Sequence, residues 1–137
     1  MAFTGPIEDR LAIHDLYGTA ADCSSRGDAD EWMDTYADEG CEWNTHFFRH
    51  AGKEAIRGQW DELWTGFEKV AFFGTVGAIE VNGDRATARC TAREVIRLKD
   101  GKVFKLAGLY RDQLVKIGGE WKFTVRDYEP LVFEDPV

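Results

Sequence analysis

Three turn signals, Asn82-Gly83, Asp100-Gly101 and Gly118-Gly119, cut the second half of this chain into four long runs. Asn-Gly and Asp-Gly between alternating segments are the strongest short-range markers of a β-hairpin. The runs "FFGTVGAIEV", "RATARCTAREVIRLK", "VFKLAGLYRDQLVKI" and "EWKFTVRDYE" therefore predict an antiparallel meander. Strands of that length must bend strongly, or they outrun their partners. The first half reads as helix instead. Pro6 opens a helix where its missing N–H costs nothing, and Gly27 breaks it. Between them Ile13, Leu16, Tyr17, Ala20, Ala21 and Ser24 recur at helical spacing. A short second helix takes Asp28 or Asp30 as its N-cap and buries Trp32, Met33 and Tyr36. "CEWNTHFF" alternates as a strand, and a third helix runs from Lys53 to about Phe67. Helices first and a meander after them predict one α+β domain over residues 1–137. In it, N-terminal helices pack on a strongly curved mixed or antiparallel sheet, a cone enclosing a hydrophobic pocket.

Composition narrows the partners. A net charge of −8 argues against nucleic acids and anionic membranes, which demand a basic footprint. No apolar run resembles a membrane span or a signal peptide, so a cytoplasmic protein is expected. Cys23, Cys41 and Cys90 are odd in number and far apart, which supports neither a disulfide framework nor a zinc site. They are expected to be small buried hydrophobes.

The strand after Asn82-Gly83 assigns its own faces. Ala86, Ala88, Cys90, Ala92, Ile96 and Leu98 fall on one side, and Thr87, Arg89, Thr91, Arg93, Arg97 and Lys99 on the other. Glu94 alone breaks the apolar side. A carboxylate among Ala, Cys and Ile must find a partner or carry a raised pKa, which makes it a candidate acid or base. Alternatively, a strand end or a bend lets it reach solvent. A three-residue loop at Lys99-Asp100-Gly101 pairs Leu98 with Lys102, sets Cys90 opposite Tyr110, and places Tyr110 and Asp112 on the face of Glu94. A similar loop at Gly118-Gly119 adds Thr124 and Arg126 to that face, with Asp112 and Arg126 as diagonal neighbours. That pair serves either the pocket or a structural ion pair at the mouth of the cone.

"IEDRLAIHDLY", "RGDADEWMDTYADEGCEW", "GKEAIRG", "VNGDRATA" and "GLYRDQLVKIGGEWKFTVR", in this order, resemble the SnoaL-like branch of the nuclear-transport-factor-2-like (NTF2-like) fold. That family includes scytalone dehydratase, bile-acid dehydratase, hexachlorocyclohexane dehydrochlorinase and polyketide cyclases, as well as non-enzymes. The resemblance implies an Asp–His dyad, but its two slots hold Ser25 and Phe72 here. It also implies that Trp43, Tyr110 and Arg126 line the cavity, and that a homodimer or homotrimer forms.

With the dyad missing, other groups are candidates. Asp22 lies one helical turn before Ser25, and with Glu94 it is a candidate base. His46 and His50, in "NTHFFRH", sit where an irregular loop crosses the cone mouth, and an imidazole there replaces the one lost at Phe72. Their i,i+4 spacing suits a metal only on a helix, and the segment looks extended, so no metal is assigned. Tyr17 and Tyr110 can donate to a carbonyl or phenol oxygen. Trp43, Trp64 and Phe72 give the pocket aromatic walls. The first reading is a cofactor-independent lyase or isomerase acting by acid–base catalysis on a hydrophobic aromatic, polycyclic or terpenoid compound. Asp22, Glu94, His46, Tyr110 and Arg126 would do its chemistry; Tyr17, Ser25, Trp43, His50, Trp64, Phe72 and Asp112 would hold the substrate. A non-catalytic binding protein, or the small subunit of a ring-hydroxylating oxygenase, is the alternative.

Overall fold

The computed structural model describes residues 2–137. In chain order its elements are β1 (Phe3–Thr4), α1 (Ile7–Arg26), α2 (Ala29–Asp34), β2 (Glu42–Asn44), β3 (Arg49–Ala51), α3 (Lys53–Gly66), β4 (Phe67–Asn82), β5 (Arg85–Leu98), β6 (Val103–Ile117) and β7 (Glu120–Glu134). The strands form one sheet in the order β1-β4-β5-β6-β7-β2-β3. Its β4–β7 core is the antiparallel meander, while β1 joins β4 and β2 joins β7 in parallel. The result is an α+β cone with helices against a curved mixed sheet.

Local chemistry fixes the helix ends. Gly27 closes α1 in the left-handed conformation at φ 69°, donating its N–H to Cys23 O. The chain then turns at once into α2, where the Asp28 carboxylate caps the Glu31 N–H at 3.1 Å. Pro6 is the N-cap of α1, just before its first helical residue. Ile13, Ile56, Ile79, Leu114 and Phe123 are fully buried between helices and sheet. Each such side chain contributes about 1.5–3 kcal/mol. Cys23, Cys41 and Cys90 are free and buried, as small hydrophobes would be.

The register places the inward side chains. Leu98 N–H bonds Lys102 O, giving the three-residue loop, and Cys90 stands opposite Tyr110. At Gly118-Gly119 the expected three-residue loop is instead a two-residue one, since Ile117 pairs with Glu120. That shift alone would turn Arg126 outward. A bulge between Gln113 and Leu114, which leaves Thr124 without a partner, restores the register. Two departures cancel. Arg126 therefore faces inward directly opposite Asp112 rather than diagonally, and Thr124 spends its hydroxyl on Gln113 O at 3.0 Å.

The segment after β2 also differs from the expected single strand. Trp43 pairs with His50 across a β2–β3 hairpin. Thr45 builds its loop, its Oγ1 accepting from the Phe47 and Phe48 N–H groups at 2.9 and 3.1 Å. His50 thus belongs to a strand, not to an irregular loop.

Candidate active site

The aromatic side chains do not fill the cone. A cavity of about 570 Å³ remains between α3, the inner sheet face and the β2–β3 loop. This volume falls in the range of small-molecule sites, about 300–1,000 Å³. Trp32, Trp43, Trp60 and Trp64 line it, with Phe48, Phe67, Phe72 and Leu106. Phe47 and Phe133, 64% and 47% exposed with ring centroids 6.3 Å apart, mark its mouth. Trp32, Trp60 and Trp64 pack in sequence with tilted rings, at 4.3 and 5.7 Å between centroids, along the α2–α3 wall.

Four ionisable groups meet this apolar space from the sheet: Glu94 on β5, Tyr110 on β6, and Arg126 and Tyr128 on β7. Glu94 stands directly opposite Phe72 and Leu106. It makes no hydrogen bond or ion pair among the described residues, and its residual exposure is to the cavity it lines. Burial pushes its carboxyl up to about 7, against a smaller opposing pull from Arg126. Its two cross-strand partners are apolar side chains that offer it no hydrogen bond.

Arg126 is buried and held from behind. Its Nε and Nη2 each donate to Asp112 at 3.0 Å, in the bidentate geometry that suits a planar guanidinium. Asp112, itself fully buried, also accepts from the Tyr17 hydroxyl. Burial raises the Asp112 carboxyl above its ordinary value, with Arg126 and Tyr17 pulling it back. Burial also opposes the Arg126 charge, but Asp112 together with Tyr110 and Tyr17 outweighs it, so Arg126 stays well above its ordinary pKa. The Tyr110 and Phe123 rings flank the guanidinium, each 4.1 Å away. Its Nη1 has no hydrogen-bond partner among the described residues, and neither has the Tyr110 hydroxyl. Both are donors on the cavity wall.

Tyr128 extends this wall. It follows Arg126 by two residues and its ring lies 4.7 Å from that of Tyr110. Gly108 makes room for it: a Cβ there would stand 2.3 Å from the Tyr128 hydroxyl and 2.6 Å from Glu129 O. The Tyr128 hydroxyl and the Trp43 indole N–H are buried without a hydrogen-bond partner among the described residues. Unpaired buried groups cost about 1–3 kcal/mol each and cluster at functional sites.

The other residues singled out from the sequence are placed as follows. Trp64 and Phe72 line the cavity, and Phe72 donates its N–H to Ser25 Oγ at 3.0 Å. Ser25 and Phe72 therefore touch each other, yet Ser25 does not line the cavity; its neighbour Ser24 does. Asp22 is a correction. It points to solvent, its side chain 63% exposed and paired with Arg26 at 2.8 Å, because the helix turns it away from the sheet. His46 is another: it sits exposed in the β2–β3 loop and does not line this cavity. Tyr17 and Asp112 lie behind Arg126 rather than in the lining. His50 stacks on Phe48 and bonds Gln59, which lines the cavity. Sequence reasoning missed Tyr128 and Gln59. Period-two alternation from Arg126 points to the first, and nothing in the sequence points to the second.

The family follows from this fold and this cavity. A SnoaL-like domain model matches residues 6–127, and the chain belongs to that family. Among solved structures it is similar to a provisionally named aromatic ring hydroxylase from Novosphingobium aromaticivorans, with a TM-score of 0.89 at 22% identity, covering 98% of this chain and 96% of that one. A provisionally named scytalone dehydratase from the same organism gives 0.87 at 20% identity, covering 94% and 88%. A hexachlorocyclohexane dehydrochlorinase from Novosphingobium barchaimii gives 0.83 at 19% identity, covering 96% and 91%. At these identities the likeness is one of fold. No curated protein sequence matches the chain. No helix among the described residues is long and apolar enough to cross a membrane.

Proposed function

We propose that this protein is a lyase or isomerase that removes a proton beside an activating carbonyl on a hydrophobic substrate. Glu94 is the base, and Arg126 Nη1 with the Tyr110 hydroxyl receives the developing oxyanion. The observation that carries this reading is the unpaired Glu94 carboxyl, raised to about 7, in the wall of an apolar cavity. A base poised near the working pH serves best, and such help is worth about 10²–10⁴-fold.

The step balances simply. The C–H electron pair moves into the enolate, the proton goes to Glu94, and negative charge collects on the carbonyl oxygen. Where a leaving group stands on the next carbon, the enolate expels it with its electron pair, giving elimination. Where the substrate instead carries a β,γ double bond, the intermediate is a dienolate, and Glu94 returns the proton to the γ-carbon, giving isomerisation. Asp112 keeps Arg126 charged and oriented, while Tyr17 keeps Asp112 in place. Names of structural neighbours, a dehydratase and a dehydrochlorinase, fit elimination chemistry.

Solvent deuterium exchange at the α-carbon of 2-tetralone tests this. The wild type is expected to accelerate exchange, and Glu94→Gln to lose about 10²–10⁴-fold of that acceleration. Equal rates in the two proteins would refute the assignment of Glu94. A ligand-binding protein is the second reading, favoured by Ser25 and Phe72 in the implied dyad slots; binding without exchange would select it.

A further inference from the structure

His50 and Gln59 form a pair that the proposed reaction leaves unused. His50 lies on β3 and is stacked on Phe48, with ring centroids 5.3 Å apart. Its Nε2 meets Gln59 Oε1 at 2.8 Å. A carbonyl oxygen only accepts, so Nε2 carries the hydrogen. Gln59, on α3, is thereby fixed with its amide oxygen toward His50. Its NH2 group has no hydrogen-bond partner among the described residues, and Gln59 lines the cavity. The cavity therefore holds a further donor, apart from Arg126 and Tyr110 and held in orientation by an imidazole.

The sheet relates His50, which holds this donor, to Arg126. Arg126 pairs with Trp43 on β2, and Trp43 pairs with His50 on β3, so the three form one row across neighbouring strands. Two strand spacings, about 10 Å, separate the Arg126 and His50 backbones at the ends of that row. The Trp43 indole lies between them, held edge-on by Trp32 and Phe48 at 5.1 and 4.7 Å. The wall thus reads donor, flat aromatic surface, donor.

From this arrangement we infer that Gln59 is a specificity-determining residue, with His50 as its positioning residue. The substrate class is an elongated, flat, hydrophobic compound with an acceptor oxygen at each end. One oxygen is the activated carbonyl at Arg126 and Tyr110. The other is a carbonyl or ether oxygen at Gln59. This assignment rests on the cavity being the substrate site, and it goes beyond that reading in naming the second polar anchor.

Calorimetric binding of 2-acetylnaphthalene and 2,6-diacetylnaphthalene tests it without any turnover. A neutral hydrogen bond gained in a cavity is worth about fivefold in affinity. The wild type is expected to favour the diketone by about tenfold, twofold of that arising from its two equivalent ends. Gln59→Leu and Gln59→Met should each bring the ratio to about two. His50→Phe keeps the stacking on Phe48 but frees the amide, and should also lower the ratio. Gln59→Glu offers the diketone a carboxylate and should reverse the preference. A ratio of about two in the wild type, or one that survives both Gln59→Leu and Gln59→Met, overturns the role of Gln59 alone. If neither ketone binds the wild type, this inference and the reading of the cavity fall together.

Discussion

Replacing Glu94 by Gln should stabilise this protein at alkaline pH and do so much less in mild acid. In the folded chain the carboxyl ionises at about 7 because it is buried, against an ordinary value of 4.5. Between those values the folded state keeps a proton that the unfolded state has released. Folded stability therefore falls as pH rises, and the loss is complete above about 7. Each pH unit in that window is worth about 1.4 kcal/mol, so the carboxylate costs about 0.8 kcal/mol at pH 5 and about 3 kcal/mol at pH 8. Gln59 and the aromatic walls are untouched by the change, and whatever the new amide itself costs does not vary with pH. The advantage of Glu94→Gln over wild type should thus grow by about 2.5 kcal/mol between pH 5 and pH 8. For a domain this size that is roughly 8 °C in melting temperature. Thermal and urea denaturation of both proteins at the two pH values measures it. A stability difference that does not change with pH would show that Glu94 is hydrated and ordinary, and the argument for its basicity would fail. A residue that destabilises the fold and carries the chemistry is what a functional site is expected to show.

Other perturbations follow from the same contacts. Asp112→Asn leaves the buried Arg126 guanidinium without its counter-ion and should cost about 3–5 kcal/mol in urea unfolding. Gly108→Ala drives a methyl group into Tyr128 and into Glu129 O, and should cost about 1–3 kcal/mol in the same assay while weakening ligand binding. Asp22→Asn removes only an exposed pair with Arg26; stability should change by less than about 0.5 kcal/mol, and 2-tetralone exchange should be unaffected. In the wild type that exchange rate should rise with pH and level off above about 7, because the base form of Glu94 is the active one. A rate that falls over this range would instead require a protonated catalyst.

Much of this was legible from residue order, for reasons that differ by element. The alternation of β5 singled out Glu94 because period-two patterning needs no knowledge of distant contacts. Arg126 came out inward because an unforeseen bulge at Thr124 cancelled a shorter turn at Gly118-Gly119, so the right face was reached through two wrong steps. Asp22 was misplaced because helical spacing tells which residues share a face, not how that face is rotated against the sheet. The lysines and arginines on an acidic chain gave no hint that Arg26 would hold it. Gln59 stayed invisible, since its meaning comes from His50, on a strand whose position depends on the Thr45 loop and on pairing with β7 through β2.

A carbon-13 NMR titration of the Glu94 side-chain carboxyl, assigned by comparison with Glu94→Gln, asks the decisive question of the intact protein. The resonance should move with a midpoint of about 7, reporting a carboxylate kept from water by Phe72 and Leu106 and free of any partner. A midpoint at the ordinary 4.5 would mean that water already reaches and solvates the group, and the proposed base would not exist.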